Sequence, residues 1–116
     1  MRIDVSLHGD VAMVRIEGRI VDGEAAEDLK AALRGVLRGG RNLTIVDVSQ
    51  VKWFDSLAIG ILAAHYISST RTGGKVLLLG ANDKVRRLMD MVRISDRFGW
   101  ASSFDDALKW FRSEST

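Results

Sequence analysis

Apolar and polar positions alternate at the start of the chain and then change period. Ile3, Val5 and Leu7 recur at every second residue between Arg2 and Leu7, as expected of a strand with one half-buried face. His8-Gly9-Asp10 is a turn signal. The β-branched run from Val11 to Ile16 resumes the strand pattern, predicting a hairpin that Gly18 ends. From Gly23 the spacing lengthens: Ala26, Leu29, Leu33, Val36 and Leu37 recur at helical intervals. Acids gather in the first turn of that helix and bases in the last, as the helix dipole favours, and Gly39-Gly40 stops it.

Leu43 to Val48 (LTIVDV) is nearly continuous in apolar residues, which predicts a buried central strand. Asp55 stands where the N-cap of a helix from Ser56 to about Arg71 belongs, and Thr72-Gly73-Gly74 closes that helix. Lys75 to Leu79 (KVLLL) reads as a second buried strand, ended by Gly80. Asn82 or Asp83 caps a third helix through Met91, with Val85, Leu88, Met89 and Val92 as its apolar stripe. A short strand is expected near Trp100-Ala101. Ser103 then opens a final helix, with Asp106 in a capping-box variant and Ala107, Leu108 and Phe111 on the inner face. The fold class is α/β: an initial β-hairpin, then alternating helices and strands, giving a mostly parallel mixed sheet with four helices.

Composition narrows the picture. The 116 residues suit a single domain spanning 1–116. A net charge of +2 gives direct nucleic-acid binding little electrostatic support. The absence of cysteine excludes disulfides and thiolate metal sites. His8 and His65 lack a second ligand at metal spacing, so no metal or other cofactor is expected. Neither a signal peptide nor an apolar run long enough to span a bilayer is visible, so no membrane insertion is expected and the location is read as cytoplasmic. Proline is absent, and turns therefore fall to Gly, Asn and Asp.

The candidate site is Asp55-Ser56, at the head of the greasiest segment. Asp at N-cap and Ser at N1 are common capping residues, and that bland reading stands beside any functional one. The helix behind them carries apolar residues at 57, 58, 59, 61, 62, 63, 64, 66 and 67, so it lacks a proper polar outer stripe. An exposed apolar face of that kind marks a partner surface. A phosphoryl group on Ser56 would add about −1.5 to −2 charges at its entrance. The helix N-terminus would tolerate that charge, so the effect would fall on the partner. A catalytic serine would need a base in reach, but His65 lies more than two turns along the same helix and no G-x-S-x-G elbow is present; no catalytic residue is assigned. A phosphoacceptor aspartate at Asp47 or Asp55 would require an acidic pair after the first strand, where a hairpin stands instead. Gly39-Gly40 and Gly73-Gly74 do not lead from strand to helix as a phosphate loop does. The bases Lys84, Arg86, Arg87, Arg93 and Arg97 read as a solvated face. Among the tryptophans, Trp53 alone adjoins the serine.

IVDVSQVKWFDSLAIGIL followed by RTGGKVLLLGANDKVRRLMDMVRI resembles the STAS domain of bacterial anti-sigma factor antagonists. A strand ends in Asp-hydrophobic-Ser, a short loop leads to Asp-Ser at a helix head, and a Gly-Gly-strand and a charged, leucine-bearing helix follow. The resemblance implies a non-enzymatic partner switch. Such proteins bind an anti-sigma serine kinase of the GHKL ATPase type, are released when it phosphorylates the serine, and are restored by a PP2C-type phosphatase. Carried onto this chain, Ser56 is the phosphoacceptor, and Asp22, Trp53, Asp55, Ser56, Leu57, Ile59 and Gly60 form the partner surface. Two departures stand out: Leu57-Ala58 replaces a smaller pair, and Asp22 falls one residue late. Two other functions compete with the switch. One is a non-switching scaffold or subunit of a stressosome-like or lipid-transport assembly; the other is a small anion- or nucleotide-binding module using the helix N-terminus.

Overall fold

The computed structural model describes residues 2–18 and 23–114. Strands β1 (Arg2–His8) and β2 (Val11–Glu17) form the hairpin, and helix α1 (Gly23–Arg38) leads to β3 (Leu43–Gln50). Helix α2 (Ser56–Thr70), strand β4 (Lys75–Leu79), helix α3 (Asp83–Met91), strand β5 (Gly99–Ala101) and helix α4 (Phe104–Glu114) complete the order, with a 3₁₀ turn at Ser95–Arg97. The five strands lie in chain order, with β1-β2 antiparallel and β2 to β5 parallel. That is the mixed α/β sheet with four helices that the periodicity predicts.

Alternation along the strands sorts side chains onto two faces. Val14, Ile16, Val46, Val48, Val76 and Leu78 point into the layer formed by α1, α2 and α3. Val11, Ile45, Leu77 and Leu79 point the other way, against Ala107 and Phe111 of α4. Both central strands are thus covered on both sides, which is why their sequences are continuous apolar runs. Gly99 lets α4 close on the sheet: a Cβ there would stand 2.6 Å from the Trp110 ring.

Two expectations are corrected. Val5 and Leu7 share the face of Ile3, but only Ile3 packs on the core, while Val5 and Leu7 are 48% and 56% exposed. β1 is the sheet's edge, and the helix layer reaches it only at the Ile3 end. Val92 is exposed as well, because α3 stops at Met91 and Arg93 turns into the left-handed region at φ 62°. That turn is locked by Arg93 N–H donating to Asp90 O (3.0 Å) and Ile94 N–H to Met89 O (3.2 Å).

Candidate functional site

The stretch from β3 to α2 is short and anchored. After β3, Val51 and Phe54 turn into the core while Lys52 and Trp53 stay outside. Asn82 holds this loop from across the sheet. Its Nδ2 donates to Lys52 O at 3.1 Å and to Val51 O at 3.4 Å, while its Oδ1 accepts from Val85 N–H at 2.8 Å and caps α3. The sequence marks Asn82 as a cap only. Its grip on a loop 30 residues away depends on β3 and β4 being neighbours, which local pattern does not report.

Asp55 is the N-cap of α2: its backbone is extended (φ −94°, ψ 177°), and its Oδ1 accepts from Ala58 N–H at 2.8 Å. The carboxylate thus satisfies one of the open donors of the helix start. Ser56 follows as the first helical residue, exposed, with no hydrogen bond to its hydroxyl among the described residues. Trp53 (40% exposed) and Leu57 (41% exposed) stand on either side of it along the chain. Behind them α2 turns Gly60, Ala64, Ile67 and Ser68 outward, so the exposed face of the helix carries no charge until Arg71. Ala58 is buried, so of the Leu57-Ala58 pair it is Leu57 that presents bulk at the surface of the helix head. Ile59 is half-buried against the three-helix core, so it offers a partner less surface than Leu57. Gly60 is exposed, and nothing lies within 4 Å of where its Cβ would be. Asp22 lies outside the described residues.

Neither imidazole serves Ser56. His8 is hydrogen-bonded to Ser6 and stacks at an angle on Phe104, with ring centroids 4.9 Å apart. His65 is buried under α2, with Nε2 3.0 Å from Thr44 Oγ1 and 3.3 Å from Ser69 Oγ. Burial pushes its pKa down to about 4, so the ring is neutral near pH 7. Asp47 accepts from Ser49 N–H at 3.0 Å and lies 4.0 Å from Arg15 Nε, a structural carboxylate that fixes the end of β3. Among the described residues no group of three metal-ligating side chains exists, and no helix is long and apolar enough to cross a membrane. Arg86 lies over the Trp100 ring at 4.9 Å, and Lys84, Arg87, Arg93 and Arg97 are exposed.

The family described as "Mlab, STAS domain" matches residues 3–99. Among solved structures, an anti-sigma factor antagonist from Mycobacterium paratuberculosis is 25% identical, with a TM-score of 0.82 over 96% of this chain and 93% of that one. The phosphorylated form of SpoIIAA, a cell fate determinant of Bacillus, superposes with a TM-score of 0.76 at 14% identity, over 95% of this chain and 99% of that one. A serine-to-glutamate variant of RsbS from Moorella thermoacetica gives 0.84 at 15% identity, over 99% and 98%.

Proposed function

The chain belongs to the STAS domain family, and on that premise we propose that it is an anti-sigma factor antagonist working as a non-enzymatic partner switch. In this reading it binds an anti-sigma serine kinase of the GHKL ATPase type through the head of α2. Phosphorylation of Ser56 releases it, and a PP2C-type phosphatase resets it. One observation carries the reading: an exposed, unbonded serine hydroxyl at the first turn of a helix, between exposed Trp53 and Leu57 and ahead of an uncharged outer stripe. Such a surface offers a partner apolar area to bury, and a dianion at its edge would have to be desolvated on docking. Trp53, Leu57 and Gly60 supply the contact in this reading, with Ile59 at its margin and Asp55 setting the helix start. Asp22 joins them on the strength of the resemblance alone.

The test is an affinity capture with Ser56→Ala and Ser56→Glu proteins immobilised side by side and exposed to native lysate. An ATPase of the GHKL type held by the alanine form and lost from the glutamate form is the expected result. The same proteins retained on both would overturn the switch. Leu57 favours a second reading, because a bulky residue at the helix head alters the fit that a kinase would need. On that reading the chain is a non-switching scaffold or subunit of a stressosome-like or lipid-transport assembly, and both forms would retain one common set of subunits.

A further inference from the structure

Between α1 and α2 runs a groove of about 380 Å³. α2 contributes its small residues to one wall, with Gly60 and Ala64 both exposed, and no atom fills the space a Gly60 side chain would take. Leu33 and Ile61, both buried, belong to its lining, and Leu37 and Leu57 extend the apolar surface. Among the described residues two charged side chains line it, both cations on α1: Lys30 and Arg34. Lys30 is already 3.2 Å from Glu27 Oε1, on its own helix. Arg34 is exposed and has no ion-pair partner among the described residues. A largely apolar concavity of a few hundred Å³ with a small number of polar groups is the usual form of a small-molecule site.

We propose that this groove binds a small amphipathic carboxylate, its apolar body on Leu33, Leu37 and Ile61 and its head on Arg34. Three features set the class. The charge in the lining is positive only, so the head is an anion and not an amine. The lining is otherwise mainly apolar, so a bare phosphate has no counterpart for most of it, and a nucleotide would place its polar base against leucines. The size is limited: at ~30 Å³ per water-sized group the groove holds about a dozen non-hydrogen atoms. Along α1 it runs from Lys30 to Leu37, which at ~1.5 Å per residue is about 10 Å. That is the reach of a medium-length acyl chain and too short for a docked helix of several turns. Ser56 and Leu57 line the same groove, so an occupant lies beside the surface assigned above to a partner. The binding step itself does not rest on the switch.

The experiment is a heteronuclear amide-shift titration of the whole chain with three separate probes: decanoate, decanol and inorganic phosphate. Decanoate is expected to move the amides of Leu33, Arg34, Gly60, Ile61 and Ala64 saturably. Decanol, which keeps the body without the charge, binds at least about tenfold more weakly, and phosphate at about 10 mM leaves these amides unmoved. Arg34→Glu, at an exposed position, weakens decanoate about tenfold or more, and Ala64→Trp fills the groove and abolishes the shifts. The same spectra report whether each variant is folded. Decanoate binding is read on the parent chain with no partner present, so a failed switch and an empty groove give different results. No saturable shift up to about 10 mM, equal binding of decanol, an unaffected Arg34→Glu, or shifts confined to the α4 face would each overturn the proposal.

Discussion

Acidification offers a direct test of the packing under α2. His65 is 5% exposed, and its Nε2 lies between the hydroxyls of Thr44 and Ser69. Burial lowers its pKa from 6.5 to about 4, which means the folded protein binds the proton more weakly than the unfolded chain does. The sign follows from linkage. Above pH 6.5 both states carry neutral imidazole, and the stability is fully present. As pH falls from 6.5 towards 4, the unfolded chain takes up the proton first, and stability drops by ~1.4 kcal/mol per pH unit. Below about 4 both states are protonated and the loss levels off. The total is about 3 kcal/mol, a large fraction of the 5–15 kcal/mol typical of a folded domain.

The assay is urea unfolding followed by tryptophan fluorescence at pH 7.5, 5.5 and 4.5, on the parent and on His65→Gln. The variant keeps a polar side chain beside Thr44 but has nothing to titrate in this range. Aspartates and glutamates contribute to acid destabilisation in both proteins, so the informative quantity is the difference between the two profiles. The parent is expected to lose about 3 kcal/mol more than the variant by pH 4.5 or just below. At a urea dependence of roughly 1–3 kcal/mol per molar, that difference appears as an extra drop of about 1–3 M in midpoint. Parallel profiles between pH 6.5 and 4.5 would refute the reasoning, because they would mean that His65 is protonated in place, with water reaching the ring.

Two further outcomes test the elements that position Ser56 and close α3. Asn82→Ser keeps a cap for α3 but is too short to reach the loop, whereas Asn82→Ala loses both roles. Losses of about 1 and about 2 kcal/mol are expected in urea titrations, together with faster hydrogen exchange over residues 51–57 in both variants. Unchanged exchange in the serine variant would show that the loop does not depend on Asn82. Arg93→Gly should raise stability by about 0.5–1 kcal/mol, since the left-handed conformation costs an L-residue about 1–2 kcal/mol and glycine's greater chain freedom offsets part of that gain. A destabilised glycine variant would mean that the arginine side chain contributes contacts that outweigh its backbone strain.

The elements were legible because their signals are local. A cap, a period and a glycine stop lie within one segment, and the Asp55 cap, the Gly39 and Gly73 stops and the strand-helix order all emerged from such signals. Relations between segments were not legible in the same way. Alternation placed Ile3, Val5 and Leu7 on one face correctly, yet whether that face is covered depends on how far α1 extends over the sheet edge. Helical spacing included Val92 in the stripe of a helix that ends a residue earlier, because the chain turns left-handed at Arg93 although the residue there is not glycine. The His65-Ser69 pair is visible at i, i+4, but its third member, Thr44, comes from a strand 21 residues upstream of the histidine. Asn82 shows the same division within one residue, since its cap is local and its loop anchor is tertiary.

The Ser56 hydroxyl makes no hydrogen bond among the described residues, so a group added there removes no bond from the fold. The open N–H groups and positive end of the α2 dipole favour negative charge, while the Asp55 carboxylate, already bonded to Ala58 N–H, opposes it. The dipole effect is worth about 0.3–1 kcal/mol at an exposed helix end, and the carboxylate acts with the opposite sign. The proposed phosphorylation would therefore leave the fold nearly as stable as before, and melting temperature would be a poor readout of it. The energy of the proposed switch lies instead in the complex, where a partner covering Trp53 and Leu57 has to strip water from the added dianion. A double-mutant cycle pairing Ser56→Glu with Leu57→Ala, read as partner affinity, would carry that coupling.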